Sequence, residues 1–162
     1  MRRAAPALSG RVLAGTLLVS LAAVAAALVA QHAFGVRPCP WCVLQRGVFL
    51  LIAAASLVGL LLRGAARGLL LVVVLGLAVA GCAAAYYQHE VASLTSSCAM
   101  GFADRTIASL QLEDRLPYVF MVTANCAEAA AYRLLGLPYE VWSGALYVLT
   151  ALAAALGLKR LK

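Results

Sequence analysis

Charge is what this sequence has little of. Asp, Glu, Lys and Arg make up 12% of its 162 residues and 65% are hydrophobic, where a soluble globular chain carries about 25% charged residues. That deficit excludes an ordinary soluble domain. Acids are scarcer still, six in all. The period-two alternation of a membrane β-barrel is missing, as are internal repeats and low-complexity tracts other than alanine-rich helix. No second C-x-x-C and no H-x-x-x-H accompanies the one C-x-x-C pair, which weakens a zinc reading. An extended soluble basic surface is missing too, so the net charge of +7 does not point to nucleic acid.

What is present is four long apolar runs, 12–30, 43–62, 69–87 and 139–158. Each is close to the ~20 residues a helix needs to cross a bilayer. Lipid offers no partners to backbone N–H and C=O groups, so such runs must be helical. The expected fold is therefore an all-α integral membrane protein. It is a single domain, 1–162, built as a four-transmembrane-helix bundle, with outer loops 31–42 and 88–138. The long loop is expected to carry short helices. The first run follows three arginines and precedes "LVAQHA" (28–33), which a secretory signal would also show. A signal's apolar core is about 7–15 residues, however, so a retained first helix is expected.

The charges orient the bundle. Arg2, Arg3, Arg11, Arg63, Arg67, Lys159, Arg160 and Lys162 flank one side with no acid among them. The other side carries five arginines and all six acids. Basic residues in short loops stay cytoplasmic, so both termini are expected inside the cell and loops 31–42 and 88–138 outside. In a bacterium that outside is the periplasm, and the bilayer is the inner membrane. The cysteines follow this geography. Cys39, Cys42, Cys98 and Cys126 fall outside, and only Cys82 lies within a span. Four outward cysteines in an oxidising compartment suit disulfide chemistry.

The stretch "RPCPWCVLQRGVFLL" (37–51) places the C-x-x-C at the mouth of the second span. Alone, that motif fits a metal half-site, a structural disulfide or a redox pair; His32, His89, Cys98 and Cys126 are the other residues a metal site would draw on. Pro40 suits a first helical turn. Cys42 then sits near a helix N-terminus, where partial positive charge stabilises a thiolate. Arg46 follows one turn later on the same face. It reads either as a snorkelling arginine or as a cation holding a thiolate or a reduced oxyanion at the membrane edge, and an ionisable group inside a span is a functional hypothesis by default.

These residues resemble the disulfide bond formation protein B (DsbB) family. The resemblance rests on four spans, "CPWCVLQR" heading the second, Cys98 and Cys126 in the second outer loop, "YQHEVASL" (87–94) and "NCAEAAAYRLLGLPYEVW" (125–142). It implies a thiol oxidase that reoxidises a soluble, DsbA-type periplasmic thioredoxin-fold protein and passes two electrons to the membrane quinone pool, ubiquinone or menaquinone. It implies Cys39, Cys42, Cys98 and Cys126 as catalytic residues, paired at rest as Cys39–Cys42 and Cys98–Cys126. Arg46 and His89 are then the quinone-binding residues, and no metal is expected. A dithiol that meets both a water-soluble protein and a lipid-soluble quinone belongs at the interface, where this one lies.

Two other classes compete. The vitamin K epoxide reductase-like group also couples two cysteine pairs to quinone, but there the loop pair precedes the C-x-x-C. A non-enzymatic structural or metal-handling membrane protein leaves Arg46 and the second pair unexplained. In the long loop, 109–122 reads as an amphipathic helix on the bilayer or as packed loop broken at Pro117. Residues 126–136 read as a short helix stopped by Gly136 and Pro138. Cys98, in "TSSCAMGF", is expected to be exposed and to receive the partner's attack. Tyr86, Tyr87, Trp41 and Trp142 read as an interfacial aromatic belt. Cys82 is expected to be a buried small hydrophobe outside the chemistry.

Overall fold

Backbone that must satisfy itself in lipid has to coil, and it does. The computed structural model describes residues 4–94 and 101–160, with side chains from Leu8 onward. In chain order the helices are α1 (Ala4–Phe34), α2 (Pro40–Leu61), α3 (Ala65–Glu90), α4 (Phe102–Ser109), α5 (Leu112–Arg115), α6 (Pro117–Phe120), α7 (Cys126–Ala130) and α8 (Tyr139–Lys159). Four of them, α1, α2, α3 and α8, are long and apolar enough to cross a membrane. The 22 residues of α2 span about 33 Å at 1.5 Å per residue, enough for a ~30 Å hydrocarbon core.

Small residues let these helices approach closely, as membrane bundles require. A Cβ on Gly81 of α3 would overlap the ring of Tyr147 on α8, and one on Gly59 of α2 would come within 2.9 Å of Leu13 on α1. Tyr147 is fully buried, stacks on Phe49 of α2 with ring centroids 4.2 Å apart, and donates its hydroxyl to the Gln45 carbonyl at 2.8 Å. Thr16 of α1 and Ser56 of α2 share a hydrogen bond of 2.9 Å deep in the bundle. Polar side chains thus join helices where the hydrophobic effect, already satisfied by lipid, adds little between them.

The outer segments pack on the mouth of α2. Ile107 of α4 and Phe120 of α6 are buried against Val43 of α2. The 109–122 stretch is not one helix: Gln111 has φ 51°, and Leu116 precedes Pro117, which opens α6. The expected helix over 126–136 stops early, at Ala130. Beyond it Arg133–Leu134 (β1) pairs antiparallel with Leu137–Pro138 (β2). Leu135 at φ 52° and Gly136 at φ 84° form the left-handed two-residue turn that such hairpins favour. Trp142 Nε1 fastens this hairpin to α8 by donating to the Leu134 carbonyl at 3.0 Å.

Candidate functional site

Cys39 is the N-cap of α2, and Pro40 occupies the first turn, where its missing N–H costs nothing. The Cys42 N–H donates to Cys39 Sγ at 3.3 Å, and the two sulfurs lie 2.9 Å apart. Cys39 is fully buried, in a small cluster with Ala92, Cys126 and Ala129.

The loop holding Cys126 is tied to the segment just before Cys39. The Pro38 carbonyl accepts from Thr123 N at 3.0 Å and Ala124 N at 3.2 Å, and Arg37 donates to the Thr123 carbonyl at 2.5 Å. Asn125 then caps α7, its Oδ1 accepting from Glu128 N at 2.8 Å. These contacts set Cys126 within hydrogen-bonding reach of the Cys39 sulfur. Cys39 is therefore the middle member of three thiols. Its hydrogen bonds to Cys126 and Cys42, reinforced by burial, push its pKa far above an ordinary thiol's. Accepting from Cys39 holds Cys126 below the usual thiol range, against the opposing effect of burial. The helix start that the sequence suggests for Cys126 is real.

Beneath Cys42 a cavity of about 650 Å³ opens between α1, α2, α3 and α8. Its polar lining includes Cys42, Gln45, Arg46, Gln88, Glu140 and Ser143, and the α1 wall and Phe49 are apolar. Arg46 is 6% exposed, so it does not snorkel to water. One guanidinium nitrogen donates to Gln31 Oε1 at 2.6 Å and to the Val119 carbonyl at 2.9 Å. It thereby ties α1 and α6 to α2, a role that sequence spacing does not reveal.

Arg46 and three of the four expected redox cysteines thus meet at the head of α2. Cys98 lies outside the described residues. His89 is not on the wall of this cavity. Its Nδ1 is 3.3 Å from Glu140 Oε1, and it borders a smaller space shared with Cys82 and Tyr86. Glu140, 4% exposed, lines both spaces. His32 hydrogen-bonds the Tyr118 carbonyl at 3.0 Å. Trp41 packs against Tyr87 with centroids 4.9 Å apart and ring planes tilted by 39°.

Sequence reasoning missed Gln88. It is 1% exposed, and its Nε2 donates to Cys42 Sγ at 3.2 Å. Two buried glutamines at span ends were the available signal, since polar side chains there rarely lack a partner.

The sequence profile of the disulfide bond formation protein DsbB family matches residues 9–157. The chain belongs to the DsbB family. A relative named disulfide bond formation protein B 2, from Burkholderia lata, is 38% identical over 141 residues, covering 86% of this chain and 82% of its own. Disulfide bond formation protein B of Cupriavidus metallidurans is 34% identical, covering 88% of each chain. Disulfide bond formation protein B 1 of Pseudomonas fluorescens is 32% identical, covering 88% of this chain and 85% of its own. As a DsbB-family member the protein is a multi-pass membrane disulfide oxidoreductase that acts in disulfide bond formation.

Proposed function

We infer that this DsbB-family protein reoxidises a DsbA-type thioredoxin-fold oxidase in the periplasm and delivers the electrons to a quinone in the bacterial inner membrane. The observation that carries the reading is the position of Cys39, in reach of Cys126 on its loop side and of Cys42 on its cavity side. Disulfide exchange moves electrons only between sulfurs that can touch, and this row of three leads from the loop to the cavity. Both termini lie in the cytoplasm in this reading, which the one-sided arginines and lysines support.

The relay begins with resting disulfides Cys39–Cys42 and Cys98–Cys126. A partner thiolate attacks Cys98, forming a mixed disulfide and expelling Cys126 as the thiolate. The partner's second thiolate resolves that mixed disulfide, leaving the partner oxidised and Cys98 reduced. Cys126 attacks Cys39; the Cys39–Cys126 bond forms, the Cys39–Cys42 bond breaks, and the electron pair leaves on Cys42. Cys126 stands at the start of α7, a position that favours its thiolate, so it leaves in the first step and is ready to attack in the second.

The cavity fits a quinone headgroup. Its volume lies within the 300–1,000 Å³ typical of small-molecule sites, its walls are largely apolar, and a buried cation and the Cys42 sulfur face it. Bound there, ubiquinone or menaquinone supplies a two-electron acceptor. Arg46 offers positive charge to a carbonyl oxygen, and Cys42 presents the electron-rich sulfur. His89 acts one step removed, through Glu140. The test is a stopped-flow assay of quinone absorbance with full-length protein and a reduced DsbA-type substrate. One quinone is expected to be consumed per partner disulfide formed. Partner oxidation with no quinone consumed refutes the assignment of the acceptor.

A further inference from the structure

Arg46, the one charged side chain in the outer turns of α2, spends the hydrogen bonds described above on Gln31 and Val119. What touches the Cys42 sulfur is an uncharged amide. Gln88 Nε2 donates to it at 3.2 Å, from a buried position. That amide is itself held. Gln45 Nε2 donates to Gln88 Oε1 at 2.7 Å, and the Ser143 hydroxyl hydrogen-bonds Gln45 Oε1. The same hydroxyl also lies 3.0 Å from the Glu140 carbonyl of its own helix, so its single proton is shared between two acceptors. A ladder of neutral groups from α8 through α2 to α3 thus ends with an N–H aimed at sulfur.

We propose that Gln88 is a catalytic residue that stabilises the Cys42 thiolate, with Gln45 and Ser143 as positioning residues that keep its amide turned donor-first. A donor to a charged sulfur in a site of low dielectric is stronger than one between neutral groups. It favours the state in which the Cys39–Cys42 bond has broken and the electron pair rests on Cys42, so it speeds departure of that sulfur. Because the ladder carries no net charge, it does this without adding a second buried ion beside Arg46. The inference deepens the relay reading above, but the contact concerns Cys42 alone, so its test needs neither quinone nor partner.

The test uses full-length protein in which Cys39, Cys82, Cys98 and Cys126 are replaced by serine or alanine, leaving Cys42 as the sole thiol. Its alkylation by iodoacetamide is followed by mass spectrometry from pH 6 to 10.5. Gln88→Leu is expected to slow the reaction about tenfold at pH 7, the lower end of what one hydrogen bond to a charged group is worth. The two rates are expected to converge at high pH, where the thiolate forms regardless. Ser143→Ala, remote from the sulfur and mild for folding, gives a smaller loss of the same kind, and Ser143→Thr, which keeps the hydroxyl, restores the parent profile. An unchanged rate at pH 7 overturns the proposal. Equal slowing at every pH, which reports access rather than ionisation, also overturns it. So does faster alkylation of Gln88→Leu at pH 7, the result expected if the ladder ran with opposite polarity and Gln88 accepted from a thiol.

Discussion

Replacing Arg46 with methionine keeps the apolar stem and removes the guanidinium. Two acceptors then lose a charged donor, Gln31 Oε1 at 2.6 Å and the Val119 carbonyl at 2.9 Å. A hydrogen bond to a charged group contributes about 1.5–3 kcal/mol. Both acceptors belong to half-exposed residues, so water recovers part of the loss and the lower figure applies. Two such bonds amount to about 3 kcal/mol, a change of roughly a hundredfold in the equilibrium between docked and released α6. The amides that report on this are already paired in the docked state: Phe120 N to Leu116 O at 3.0 Å, Met121 N to Pro117 O at 3.1 Å, and Thr123 N to Pro38 O at 3.0 Å. Hydrogen exchange of a peptide covering 117–123 is expected to accelerate about a hundredfold in Arg46→Met. In Gln31→Leu, which removes one of the two acceptors, the gain is about tenfold. Unchanged exchange in Arg46→Met refutes the idea that this cation fastens the loop, and would confine it to the cavity.

Two further outcomes follow from the packing and the thiols. Cys126 has a depressed pKa caused first by Cys39, so its thiolate is present above that pKa and lost as pH falls through it. Alkylation of Cys126 in the reduced protein should remain fast below pH 8.5, the ordinary thiol value, and Cys39→Ala should move the profile to higher pH; identical profiles contradict the cause assigned. Gly81→Ala drives a methyl into the Tyr147 ring, an overpacking cost of about 1–3 kcal/mol. It should lower the melting temperature, with loss of the Tyr147–Gln45 hydrogen bond adding about 1 kcal/mol; a melting temperature equal to wild type shows that α3 and α8 are not packed as described.

The four spans were legible because lipid leaves the backbone one solution, and a ~20-residue apolar run announces it. The head of α2 was legible for a local reason: Pro40 fits only the first turn, which makes Cys39 the cap and puts Cys42 and Arg46 on one face. What joins distant segments was not. Nothing in "VTANC" says that the Thr123 and Ala124 amides will both seek the Pro38 carbonyl, yet that contact brings Cys126 to Cys39. Arg46 was singled out, but its partners lie on α1 and α6, at separations of 15 and 73 residues. The helix expected to Gly136 was cut short by a left-handed Leu135, a conformation that residue type disfavours and that the hairpin and Trp142 enforce together. Gln88 stands out in the sequence only as one letter of "YQHEVASL", because its contacts arise where three helices meet.

The account turns on the adjacency of Cys126 and Cys39, and one cross-linking measurement reaches it directly. In full-length protein carrying Cys42→Ser, Cys82→Ala and Cys98→Ser, only those two thiols remain. Oxidation with stoichiometric diamide, followed by peptide mapping without reductant, should yield one intramolecular disulfide joining residues 39 and 126, and prior unfolding in denaturant should abolish it. Recovery of both thiols unpaired, or of intermolecular dimers alone, from the folded protein contradicts the account.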